Sequence, residues 1–420
     1  MNRTLRLLTP LLLALCTLRA PAHGEAASAF RPAGCEAHGT ESLRAETRTV
    51  TESPRTVELR TAPEAPGIAE MRTMTEEPRT AEARTETETP YTAQARPEAA
   101  APRRTKAATQ RADAAHDGSE SPALRFRPDG RFRILQLTDL HYTASARRSG
   151  HVLPMVADLI DRERPDLIVL TGDLVYDRPA APLLRRIGTL LAGKGVPYAV
   201  TLGNHDAEQD LTRGEVYAAV RALPGCINAR FNPPGEPQGT FAVPIDTDDG
   251  RCAAVLYVMD SNDYNADDGT YAGVDAGQVA WYERRSEELE RRCGAKVGAL
   301  VFMHIPLPEY AEAFDGDPAR VGFRLESECP GRDNHGMFEA MVRRGDVRGV
   351  FAGHDHSNDY AAVLRGIVLA YGRYSGGYAE YQELVSGARV IELHRDRPGF
   401  VTWVRLANGR EVRRAEYPRP

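Results

Sequence analysis

The chain has 420 residues, with 53 Lys and Arg against 59 Asp and Glu, a formal net charge of −6 and an isoelectric point near 6.1. That balance excludes a nucleic-acid binder held by charge, since such domains are usually basic. Length alone predicts two or three domains, but the composition is uneven. Between residues 22 and 122, Leu, Ile, Val and Phe occur only at Phe30, Leu43, Val50, Val57, Leu59 and Ile68, too few to offset chain entropy.

The first 22 residues read as a secretory signal. Arg3 and Arg6 form a basic start, 7–18 is apolar, and Ala20-Pro21-Ala22 supplies small residues for cleavage,. Pro10 and Arg19 bound the apolar run too tightly for a membrane span of about 20 residues,. No later run is long enough, so the expected mature protein is secreted or periplasmic, with no transmembrane segment.

Loss of Cys16 with the signal leaves Cys35, Cys226, Cys252, Cys293 and Cys329, an odd number with at least one thiol unpaired within the chain,. Cys226 and Cys252 flank a Gly/Pro-rich excursion and could pair or remain thiols; spacing leaves the connectivity open.

Residues 23–122 are rich in Thr, Glu, Arg, Pro and Ala, and 51–61 recurs imperfectly as 75–85. Neither copy has an apolar face, so a solenoid is not expected. With 13 basic and 17 acidic residues interspersed, this stretch reads as a disordered, solvated spacer or stalk.

From 123 to 420 the pattern changes. Apolar β-type runs occur at 131–138, 167–170, 198–202, 253–259, 299–302 and 350–352, with helical patterns at 152–161, 181–191, 214–223, 278–292 and 337–344,. Alternation predicts one layered α/β domain. The stretch 360–404, richer in short strands, predicts an antiparallel end to the sheet.

Five polar clusters stand directly behind five of these runs. They are Asp139-Leu140-His141, Gly172-Asp173, Gly203-Asn204-His205-Asp206, His304, and Gly353-His354-Asp355-His356. Ligands of open α/β sheets bind at the carboxyl ends of the strands, so all five can meet in one crevice. Imidazole with carboxylate is the donor set of Mn, Fe or Zn rather than Mg or Ca. Asp139, His141, Asp173, Asn204, His304, His354 and His356 exceed what a single ion takes, so two ions sharing a carboxylate are expected, with a bridging hydroxide as the nucleophile. The three glycines suit tight turns at strand ends. His205, followed by Asp206, suits a proton-donating imidazole held by a carboxylate. His151, His335 and His394 lack such context and read as structural.

These motifs, Asp139-x-His141, Gly172-Asp173, Gly203-Asn204-His205-Asp206, His304 and Gly353-His354-x-His356, resemble the full series of the calcineurin-like metallophosphoesterase superfamily. The stretches 134–142, 304–310, 353–360 and 370–377 are similar to its purple-acid-phosphatase-like branch. The resemblance implies a four-layer α/β/β/α sandwich with a dimetal site on one edge. It implies a first metal at Asp139, His141, Asp173 and His356, and a second at Asp173, Asn204, His304 and His354. His205 would stabilise the transition state or protonate the leaving oxygen. The function implied is an exported dinuclear-metal phosphoesterase acting on a small phosphoester; the alternative is a catalytically silent surface-binding or scaffold relative.

One departure is informative. True purple acid phosphatases carry Asp-x-Gly at the first motif and a metal-bound Tyr in Gly-Asp-x-x-Tyr, whereas this sequence has His141 in place of that Gly, and Tyr176 at the tyrosine spacing. With His141 able to fill the coordination position, Tyr176 is expected to pack beside the site and the protein to be colourless. Asp177 completes the more general Gly-Asp-x-x-x-Asp form. The loops 207–240, 261–276 and 308–336 would select substrate; Arg324, Arg332, Asn334 and Arg373 are candidate phosphate or leaving-group contacts, with ordinary surface roles preferred for each.

Overall fold

A computed structural model describes residues 124–377 and 384–419; the signal and spacer expected over 1–22 and 23–122 lie outside them. The pleat explains the layering. In β1 (Arg131–Leu137) and β2 (Leu167–Thr171), Ile134, Leu167 and Val169 face a core shared by both sheets, while Leu135, Leu137, Ile168 and Leu170 face helices. Side chains alternate across a strand, so strands apolar throughout are covered on both faces.

The first sheet runs β12-β11-β10-β1-β2-β3, where β3 is Tyr198–Thr201, β10 Gly387–His394, β11 Phe400–Leu406 and β12 Glu411–Tyr417. β1, β2 and β3 are parallel and the C-terminal strands antiparallel, as the strand-rich end of the sequence predicts. The second sheet runs β4-β5-β6-β7-β9-β8, from β4 (Phe241–Asp246), β5 (Cys252–Val258), β6 (Gly298–Phe302), β7 (Val347–Ala352), β8 (Ala361–Leu364) and β9 (Ile367–Tyr371).

Between the sheets lie Phe132, Phe241, Phe302, Phe351 and Phe400 with aliphatic neighbours. Outside the first sheet pack α2 (Val152–Glu163), α3 (Ala180–Lys194) and α4 (Arg213–Arg221). Outside the second pack α6 (Ala276–Cys293), α7 (Glu309–Gly316) and α8 (Met337–Arg344). Two short helices, α1 (Ala146–Ser149) and α5 (Asn228–Phe231), sit in connections. The architecture is the α/β/β/α sandwich, and no helix among the described residues is long and apolar enough to cross a membrane.

Every strong helical pattern has its helix, and α6 shows why. Asp275 and Gln278 cap its start reciprocally, and Gly294 ends it in the left-handed region,. The sequence patterns do not predict β4, β12, α7 or the short helices α1 and α5. β4 contains Pro244, which removes a ladder donor; it is tolerated because β4 is the sheet's edge,. α7 offers only two buried apolar residues, Tyr310 and Ala313, over eight positions.

Cys226 and Cys252 do not pair. Both are free thiols, as is Cys293, and it is Cys293 that lies beside Cys252. Cys329 is in a disulfide.

Candidate metal centre

The five clusters converge where the parallel strands of both sheets end. Asp139, Asp173 and Asn204 follow β1, β2 and β3; His304 follows β6, and His354 and His356 follow β7. The chain must bend sharply at each strand end to aim a side chain into the crevice. Asp139, His141, Asp173 and His354 accordingly take positive φ values of 54°, 42°, 52° and 78°. Such backbone costs a non-glycine residue on the order of 1 kcal/mol or more and persists only where its surroundings enforce it.

Of the three glycines expected in tight turns, only Gly172 has positive φ. Gly203 is required for a different reason: any Cβ there would collide with the Asp173 carboxylate.

One ligand atom each from Asp139, His141, Asp173 and His356 lies within 4.8 Å of the others. A second group adjoins it through Asp173, whose Oδ2 is 3.3 Å from His304 Nε2. His304 Nε2 is in turn 3.1 Å from Asn204 Oδ1 and 3.3 Å from His354 Nδ1. All seven expected ligands are thus brought together, with Asp173 between the two groups.

Supporting contacts fix which atoms face inward. His304 Nδ1 donates to the Thr171 carbonyl at 2.7 Å, leaving the Nε2 lone pair for the crevice. The Thr138 hydroxyl donates to Asp139 Oδ2 at 2.6 Å, and the His205 amide donates to Asp173 Oδ1 at 2.9 Å. His141 Nε2 is buried without a hydrogen-bond partner, 3.4 Å from Asp173 Oδ2. An unpaired imidazole nitrogen facing a carboxylate in a buried cluster fits a cation between them. The residues present therefore fit metal ions.

Charge follows the same geometry. Burial alone would raise the Asp139 carboxyl, but His356 and His304 outweigh it and hold it below the ordinary value. Asp173, also buried, is held well below by His304, His205 and His141. Burial pushes His141 down, and His354 well down. His304 rises to about 9, because Asp173 and Asp139 overcome burial.

His205 stands beside this cluster, its ring centroid 5.4 Å from that of His141. Burial opposes its charge, yet Asp173 and Glu208 raise it to about 8. The carboxylate that holds it is not Asp206. That residue points inward and accepts from the amides of Gly203, Asp173 and Leu174 at 2.9, 3.0 and 2.8 Å; burial, then Asp173, raises it to about 6. Asp206 ties the β2 and β3 loops together, and Glu208 Oε2 takes His205 Nδ1 at 2.6 Å. The tight turn Asn204–Glu208 explains the exchange: position 208 returns to the face of 205, while 206 faces the loops.

Sequence reasoning missed Glu208 and the tyrosines of the rim. Tyr264, Tyr271 and Tyr374 surround the histidines, with Tyr271 4.4 Å from His354 and Tyr374 4.7 Å from His356 between ring centroids. A carboxylate three residues after His205 was the one available signal. Tyr176 lies beside the site, its ring centroid 5.2 Å from that of His141 and 5.1 Å from that of His205, and is 43% exposed. Asp177 accepts from the Ala144 amide.

The four possible phosphate contacts are committed elsewhere. Arg324 pairs with Asp315 and Glu328, Arg332 with Asp267, Asp268 and Asp333, and Asn334 donates to Glu309. Arg373 is buried against Asp359.

Residues 132–358 match the family model for calcineurin-like phosphoesterase. "Probable inactive purple acid phosphatase 14" of Arabidopsis thaliana is 33% identical over 67% of this chain and 79% of its own. "Probable inactive purple acid phosphatase 29" of the same plant is 32% identical over 67% and 84%. "Phosphatase DCR2" of Saccharomyces cerevisiae is 28% identical over 66% of this chain and 54% of its own. The chain belongs to the calcineurin-like phosphoesterase family.

Proposed function

We propose that the protein is an exported, metal-dependent phosphoester hydrolase. The observation that carries this reading is the complete donor set around Asp173, with His205 adjacent and held by a carboxylate. Asp139, His141, Asp173 and His356 would hold one ion, and Asp173, Asn204, His304 and His354 a second, of Mn, Fe or Zn type. Bound there, the ions would supply Lewis-acid activation of the phosphoryl group and of the attacking water.

The chain's own part is orientation and proton supply. Asp173 is fixed by the His205 amide, so carboxylate and imidazole keep one geometry. His205 gives the proton from Nε2 to the ester oxygen as the bond from phosphorus to that oxygen breaks. Water provides the new oxygen on phosphorus, the alcohol leaves neutral, and solvent returns the proton to His205.

The names of the two Arabidopsis relatives favour a second reading, a silent member of the family. Hydrolysis of an aryl phosphate by protein loaded with Mn²⁺ or Fe/Zn decides between them. The expected result is turnover that falls to background in Asp173→Asn; a metal-loaded wild type without turnover on a panel of monoesters and diesters, or an unaffected Asp173→Asn, overturns the enzyme. Export rests on the basic, apolar and small-residue order of 1–22,. N-terminal sequencing of exported protein that begins at His23 checks it.

A further inference from the structure

The turn after β3 carries a hydrogen-bond chain whose donors converge on Glu208. Asn204 Nδ2 donates to the Tyr264 hydroxyl at 2.8 Å, and that hydroxyl donates to Glu208 Oε1 at 2.6 Å. The other carboxylate oxygen, Oε2, is 2.6 Å from His205 Nδ1. An amide nitrogen can only donate and a carboxylate accepts, so each link is assigned. Tyr264 has a single proton and must spend it on Glu208. Glu208, accepting at both oxygens, must take a proton from His205, which places N–H on Nδ1 and leaves Nε2 outside this link.

The same chain fixes the neighbouring amide. With Nδ2 given to Tyr264, Asn204 presents Oδ1 to His304 and the ligand cluster. Two adjacent residues of opposite task, one oxygen donor and one proton donor, are therefore set by one tyrosine and one glutamate. Asp206, the acidic residue next to His205 in sequence, takes no part, since its oxygens hold backbone amides.

We propose that Glu208 is the positioning residue for His205 and that Tyr264, from the 261–276 loop, locks it in register with Asn204. This rests on the hydrolytic reading above. An acid held in this way matters for esters whose alkoxide leaves poorly and adds little where the leaving group departs unprotonated. Hydrolysis of alkyl phosphoesters should accordingly depend on Glu208 more than hydrolysis of activated aryl ones.

The test uses the full-length protein with glycerol 2-phosphate and 2,4-dinitrophenyl phosphate as probes. Glu208→Gln is expected to lower kcat on glycerol 2-phosphate by about 10- to 100-fold and to leave the dinitrophenyl ester within about 2-fold, with metal content unchanged. Tyr264→Phe, which also releases the Asn204 amide, should lower turnover on both esters, with the larger loss on glycerol 2-phosphate. Nitrogen-15 spectra of histidine-labelled, metal-free protein supply a readout independent of turnover. At a pH above about 9.5, where the imidazole is neutral,, they should show His205 with its proton on Nδ1 in the wild type and a tautomer mixture in Glu208→Gln. Equal loss on both esters, no loss on either, or an unchanged tautomer overturns the positioning role while leaving the hydrolase in place. A wild type inactive on both esters instead sinks the hydrolytic reading, and this inference with it.

Discussion

The two sheets bring unlike halves of one site. The first sheet supplies both carboxylates, Asp139 and Asp173, together with Asn204 and the His205 turn; the second supplies only imidazoles, His304, His354 and His356. The halves meet across the interface, with His304 Nε2 3.3 Å from Asp173 and His356 Nε2 3.5 Å from Asp139. Neither sheet alone holds a ligand set. The site is thus a product of sheet packing, and its ions would replace contacts that already join the layers.

The largest expected way to break that arrangement is to loosen the packing itself. Phe302 is fully buried between the sheets, stacked on Phe351 at 5.3 Å. Phe302→Ala is expected to cost about 3–5 kcal/mol, read as a lower denaturant midpoint, with both halves of the site lost together. A destabilised protein that still bound ions at full strength would show that the halves do not depend on the interface.

Single-ligand variants sharpen the comparison with less damage. His141→Ala, on the first sheet's side, and His354→Ala, on the second's, should each leave one ion per chain by metal analysis and reduce turnover sharply without unfolding. If both variants lost both ions, the centre would behave as a single cooperative unit rather than two groups sharing Asp173.

The smallest effect concerns Tyr176. Its ring lies beside His141 and His205 and His141 already occupies the crevice, so Tyr176→Phe should leave the visible absorption of iron-loaded protein unchanged. A band near the visible region in the wild type that disappears in the variant would make Tyr176 a ligand.

How much of this was legible in the sequence depended on distance along the chain. The ligands announced themselves because each follows an apolar run directly, and a strand end has one place to put the next side chain. Asp206 was read as the partner of His205 because they are neighbours; the turn separates them and delivers Glu208 instead. Tyr264 is 60 positions from the asparagine it orients, and no local pattern announces such a contact. β4 was hidden by Pro244, a strand-breaking residue in the one setting, a sheet edge, where it does no harm,.

His141 has a consequence for evolution as well as chemistry. Its φ of 42° lies in the region where glycine is the unstrained residue,, and glycine is what the Asp-x-Gly pattern of true purple acid phosphatases carries there. The two patterns trade opposite goods at one position: glycine gives an easier chain, histidine another donor. The apo and loaded forms should therefore rank His141→Gly and wild type in opposite orders of thermal stability, the variant ahead by on the order of 1 kcal/mol without ions and behind with them. In a lineage that stopped binding metal, the strained φ at this position would bring no ligand to an ion,.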